Sequence, residues 1–256
     1  MPGRFKSFCK VFTGACMVAG LALTPMQQAL AMTVQPVVID LQTSGRAMSQ
    51  VITVENTFTT PLPVELTVQE LKLTTDGVQL TGVDPGDLLV FPPQAMIQPG
   101  QTQTFRIQYV GDPDLAASKH YYVTVAQLPV ELPEGQSAIQ ILYNFQVLVS
   151  IAPTGAKPAI SIASASIGHD SDGKPVPLLL VGNDSPAHGY LSRGTLKIIE
   201  TDSAGNEVFR RTLSGPEIQQ TIGFGLIGAG QNRQVKVPVV LPQDGGRVEA
   251  TFNADD

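Results

Sequence analysis

Between residues 139 and 151 every odd position is large and apolar: Ile139, Ile141, Tyr143, Phe145, Val147, Val149 and Ile151. The even positions mix Gln140, Leu142, Asn144, Gln146, Leu148 and Ser150. Strict alternation of β-branched and aromatic residues predicts a strand with one apolar face. That row needs an apolar partner, in this chain or in another.

Weaker alternation recurs along the chain. It predicts strands at 34–41, 50–55, 64–73, 88–91, 102–110 and 121–128, divided by turn formers such as Asp76-Gly77, Pro92-Pro93 and Pro99-Gly100. Residues 152–158, small and rich in Pro and Gly, read as a linker. A second series follows at 159–167, 177–181, 194–201, 207–213, 235–240 and 247–252. No segment reads as a convincing amphipathic helix. Short strands roughly every 8 to 12 residues predict an all-β chain of two β-sandwiches, over 32–153 and 157–256.

The first 31 residues stand apart. Arg4, Lys6 and Lys10 precede a short apolar run over 11–23, and Ala29-Leu30-Ala31 is a small-x-small cleavage site. This is the three-part pattern of a secretory signal peptide over 1–31, too short in its apolar part to span a bilayer comfortably. Both cysteines, Cys9 and Cys16, lie within it, so the mature chain is expected to carry no disulfide. Removing three cations takes the net charge from −6 to −9. An acidic mature chain is a poor fit to nucleic acid or to anionic membrane surfaces, and no later run is long enough for membrane insertion.

Enzyme chemistry finds little support. His120, His169 and His188 are far apart in sequence, without metal-ligand spacing. Asp184, Ser185 and His188 sit close in sequence, but adjacency is not triad geometry. Neither G-x-S-x-G nor a phosphate-binding glycine loop occurs, and no cofactor or metal is expected. Asp170-Ser171-Asp172-Gly173 has no closing Glu for calcium and reads as a turn.

Several segments together resemble the periplasmic chaperones of chaperone–usher pilus assembly. Pro92-Pro93, Pro99-Gly100 and Arg106-Ile107 match a family motif ahead of a strand. Thr53-Val54-Glu55-Asn56, the run from Tyr122 to Gln127-Leu128-Pro129, and the strand at 139–153 add to it. Gly182-Asn183-Asp184-Ser185-Pro186 and Asp244-Gly245-Gly246-Arg247 extend it to the second half.

The resemblance implies two immunoglobulin-like sandwiches set at an angle with a cleft between them. It implies a periplasmic, non-enzymatic chaperone that lends a strand to pilus subunits and delivers them to an outer-membrane usher. On that match Ile139, Ile141 and Tyr143 enter the subunit groove, with Phe145 as a fourth, while 147–151 belong to the domain's own core. Three or four such side chains supply on the order of 5–10 kcal/mol before ordering costs. The other class of reading is a secreted structural or adhesive sandwich that keeps the whole row for itself.

The family grips a subunit carboxylate with an Arg in the first strand and a Lys in the donor strand. Here no basic residue lies between Met32 and Gly45, and the Lys position aligns with Leu148 or Gln146. The family's Arg before the closing Pro is Ala152, and its Glu before the Tyr-rich strand is Ser118. Arg106, or less directly Lys119, is the candidate replacement anchor; alternatively Arg106 pairs with Asp244 across the domains.

Overall fold

The structure is a computed structural model that describes residues 32–129 and 141–255. Residues 1–31, which the sequence marks as a leader, and Ile139 lie outside the described residues. Ten strands form the first sandwich: β1 (Met32–Gln35), β2 (Val38–Gln42), β3 (Ser49–Asn56), β4 (Leu62–Leu73), β5 (Val78–Leu80), β6 (Leu88–Phe91), β7 (Gln94–Ile97), β8 (Thr102–Tyr109), β9 (Lys119–Gln127) and β10 (Asn144–Ala152). One sheet has the order β1-β3-β8-β6. The other runs β2-β10-β9-β4-β5, with β7 also on β4.

The single strand expected at 34–41 is two strands, one in each sheet. Pro36 has no N–H to give to a ladder, so pairing stops there and the chain changes sheets. Alternating side chains from both sheets close one core, in which Ile52, Phe105, Tyr121, Val147 and Ile151 are fully buried. Asn56 ends β3 at the rim of that core. Its side chain donates to the carbonyls of Thr60 and Ile97, both at 2.9 Å, and accepts from the Phe58 amide at 2.9 Å.

The second sandwich contains β11 (Ile160–His169), β12 (Pro175–Asn183), β13 (Gly189–Tyr190), β14 (Gly194–Thr201), β15 (Glu207–Leu213), β16 (Leu226–Ile227), β17 (Gln231–Lys236) and β18 (Arg247–Ala254). They pair as β11-β12-β17, β13-β16 and β15-β14-β18 around a separate core that includes Leu179, Leu196, Ile198 and Val237. A helix, α1 (Gly215–Ile222), corrects the expectation of none. Ser214 and Glu217 form a capping box, Pro216 sits in the first turn, and Ile218 is buried against the core. Among the described residues no helix is long and apolar enough to cross a membrane.

Candidate functional site

β10 is the pivot of the first sandwich. From Asn144 to Ile151 it pairs antiparallel with β9. On the other side β2 runs parallel to it only from Leu148 to Ala152. The Leu148 amide donates to the Val37 carbonyl at 3.0 Å. By the two-residue period of a strand, the amides of Asn144 and Gln146 point the same way. Among the described residues no strand pairs with them on that side.

The odd row divides along its length. Val147, Val149 and Ile151 are fully buried in their own core. Phe145 and Tyr143 are half-buried against it, the Tyr143 ring lying 5.8 Å from that of Phe58. Ile141 is 70% exposed, and Leu142 beside it is exposed too. Residues 141–143 precede the first paired residue of β10, so the paired strand is shorter than the alternation suggests.

The even row of β10 meets the second sandwich at Ser150. Parallel pairing sets Ser150 opposite Asp40, and antiparallel pairing sets it opposite His120. Asp40, Ser150 and His120 thus form one row across β2, β10 and β9, on the face away from Ile39 and Leu41. The second sandwich caps that row. His188 Nε2 lies 2.9 Å from Asp40 Oδ1, and Tyr190 Oη donates to the same oxygen at 2.8 Å. The Arg193 guanidinium pairs with Asp40 Oδ2 and sits 4.9 Å over the Tyr190 ring. Tyr190 Oη is also 3.3 Å from Ser150 Oγ, which is 2.9 Å from His120 Nδ1.

A second residue of the first sandwich, Ser118, also holds His188. The His188 backbone amide and Nδ1 meet Ser118 Oγ at 2.9 and 3.0 Å, and the Ser118 amide donates to the Pro186 carbonyl at 3.0 Å. The loop before it is tied by Asn183, which donates to the Ala187 and Gly228 carbonyls at 2.7 and 3.1 Å. At Gly189 a Cβ would come within 2.7 Å of Pro158, so only glycine lets β13 approach the linker this closely.

Burial raises the pKa of Asp40, but the hydrogen bonds from His188 and Tyr190 and the charges of His188 and Arg193 outweigh it, bringing it down to about 2. Burial, aided by the neighbouring His188, lowers His120 to about 3, which keeps it neutral. Its Nε2 is buried without a partner. Burial and then the Asp40 charge raise the Tyr190 phenol, which stays a donor. The two sandwich cores are separate, and a pocket of about 270 Å³ edged by Asp40 and Arg193 remains between the domains. Polar contacts therefore carry much of this joint.

The anchor candidates lie elsewhere. Arg106 is exposed on β8, between Val51 and Phe91, on the outer face of the other sheet. Asp244 pairs with His169 Nε2 at 2.9 Å inside the second sandwich, which corrects the expected Arg106–Asp244 pair. The period of β8 turns Arg106 away from the core that its neighbours Phe105 and Ile107 enter. Lys119 begins β9 and donates to Asp87 at 2.8 Å, beside the Tyr121 hydroxyl on the same carboxylate. His188 pairs with neither Asp184 nor Ser185 but with residues of the first sandwich. Among the described residues no group of three or more His, Cys, Asp or Glu could hold a metal.

The sequence reading missed the joint. Its members are 70 and 148 residues apart from His188 in sequence. Only the fact that Asp40 is polar between Ile39 and Leu41, on a strand, marked it as facing away from the core.

Comparisons with known proteins agree with this architecture. Residues 31–157, the whole first sandwich, match the model described as pili and flagellar-assembly chaperone, PapD N-terminal domain. A search of curated proteins found no match. Similar solved structures include the YadV chaperone, at 14% identity and TM-score 0.53 over 88% of this chain and 93% of that one. Another is the CsuC–CsuE chaperone–tip adhesion subunit pre-assembly complex of archaic chaperone-usher Csu pili of Acinetobacter baumannii, at 11% and 0.50 over 86% and 97%. A third is Salmonella enterica SafA pilin in complex with the SafB chaperone, at 13% and 0.50 over 89% and 97%. At these identities the structures speak for the fold, and the family model for descent. A two-sandwich all-β chain whose first half matches that model belongs to the chaperones of chaperone–usher pilus assembly.

Proposed function

We propose that this protein is a periplasmic chaperone that caps pilus subunits by lending them the segment from Ile139 to Phe145, and that it then hands them to an outer-membrane usher. One observation carries the reading: the open edge of β10 at Asn144 and Gln146, next to an Ile141 that is 70% exposed. An unpaired edge with an exposed apolar side chain is a hazard unless something covers it. A subunit that lacks a strand offers the matching hazard, and pairing the two removes both. Main-chain bonds run along the edge, and alternate side chains fill the groove. The half-buried Tyr143 and Phe145 would turn or share their contacts between the two proteins, so Ile139 and Ile141 are the deepest guests.

The competing reading, a structural or adhesive module that keeps its last strand, draws on the contact of Tyr143 with Phe58. Co-expression of the mature chain with a pilus subunit encoded beside it separates the two. The chaperone reading requires a soluble one-to-one complex. A subunit that aggregates equally with and without the protein refutes it.

A further inference from the structure

Asp40 carries a cluster of side-chain contacts between the sandwiches, alongside those of Ser118 with His188 and of Ser150 with Tyr190. Asp40 takes His188 and Tyr190 on one oxygen and Arg193 on the other, and all three donors come from the second sandwich. Bonds to an ionised acceptor are roughly twice as strong as neutral ones. The remaining cross-contacts include two backbone bonds, Ser118 N to Pro186 O and Gln234 N to Thr75 O at 3.0 and 2.8 Å. Joints without a broad apolar interface move unless something fixes them.

Asp40 also stands at the root of β10. It faces Ser150 across the parallel pair, and Ser150 meets both Tyr190 and His120. The open edge of β10 ends where β2 begins to pair, at Leu148, two residues before Ser150.

We infer that Asp40 is a positioning residue that locks the second sandwich to the base of the donor strand, so that the wall beside the open edge is held at one fixed angle before a subunit arrives. The consequence for capture rests on the proposed function; the lock itself does not. A preset wall removes an ordering cost from binding. The titratable and charged groups that meet at this point are Asp40, His120, His188, Tyr190 and Arg193.

The test uses the whole mature chain. Both cysteines precede residue 32, so labels can be placed at will. Spin labels at Thr104→Cys on β8 and Thr251→Cys on β18, both exposed, report one distance between the sandwiches. With Asp40 intact a single narrow distance is expected. Asp40→Ala should broaden it markedly while the circular dichroism stays that of a folded β protein. Tyr190→Phe removes one donor with little change in shape and should broaden it less; it decides the matter if Asp40→Ala does not fold. An unchanged narrow distance in the folded variant overturns the lock. In the same variants subunit capture should weaken about ten-fold, equivalent to ~1.4 kcal/mol. A broadened distance with undiminished capture overturns the link to the donor strand. A wild-type chain that captures no subunit counts against the proposed function, and the distance measurement still judges the lock.

Discussion

Replacing Ile141 by Asp separates a donated side chain from a core one. In the free protein Ile141 is 70% exposed, so the change should move stability by no more than about 0.5 kcal/mol. In a subunit groove the same side chain would become fully buried. Full burial of an isoleucine is worth about 1.5–3 kcal/mol, of which the exposed part is roughly 1–2. An aspartate there must also leave water without a partner, or take up a proton, which adds on the order of 2 kcal/mol or more. The sum, near ~3–4 kcal/mol, weakens capture by several hundred-fold or more. Thermal unfolding of the free variant and its co-purification with a subunit are the two assays. Val149→Ala is the control: Val149 is fully buried, so it should lose about 1–3 kcal/mol of fold stability. If Ile141→Asp captures subunit as well as wild type, or if it unfolds the free protein, the reasoning fails.

Other substitutions test the supporting framework. Asn56→Ala removes three hydrogen bonds, of which the one to the Ile97 carbonyl is buried, and should cost about 1–3 kcal/mol, seen as a lower urea midpoint; a neutral result would mean water replaces the side chain. The folded pKa of Asp40 is about 2, below its ordinary value of 3.8, so its contribution is present above about pH 4 and is lost as pH falls toward 2. That loss, about 2 kcal/mol, should be missing from the acid limb of Asp40→Asn; identical limbs would contradict the assignment. Glu200 runs the other way. It is buried, neither oxygen makes a hydrogen bond of normal geometry, and burial raises its pKa, offset only in part by the nearby Gln243 amide. The folded form binds more protons, so stability falls as pH rises from the ordinary Glu value through the raised one. Glu200→Gln should therefore raise the melting temperature at pH 7, with the gain shrinking in acid; a lower melting temperature would show that the carboxylate is needed.

The legible parts of this sequence are those in which periodicity meets one buried face. β14 falls where alternation put it, because every second residue is buried without interruption, and β15, with only Leu213 buried, follows by pairing with it. β17 lies earlier than the apolar residues 235–240, since Gln231, Asn232, Arg233 and Gln234 pair through backbone alone and carry no row. α1 hid in a polar stretch whose only mark was Ser214 three residues ahead of Glu217, the capping box that starts it. The apolar row was visible, but the point where it leaves its own core was not. Alternation cannot tell Val147 from Ile141; that division depends on where β2 stops pairing. The Asp40 cluster was illegible for a related reason: its members lie on separate strands and loops, joined only by the meeting of the two sandwiches. Leu148 and Ala152 stand where the family carries cations, and the acidic residue of β2 sits at the joint instead.

The most direct measurement is amide hydrogen exchange across β10, residue by residue, with and without a bound pilus subunit. Asn144 and Gln146, whose amides face the open edge, should exchange quickly in the free protein and slow at least ten-fold in the complex, as expected for amides that gain main-chain partners. Val147 and Val149, already paired with β9, should change little. Slow exchange at Asn144 and Gln146 before any subunit is added, or no slowing in a stable complex, would mean that the strand is never lent.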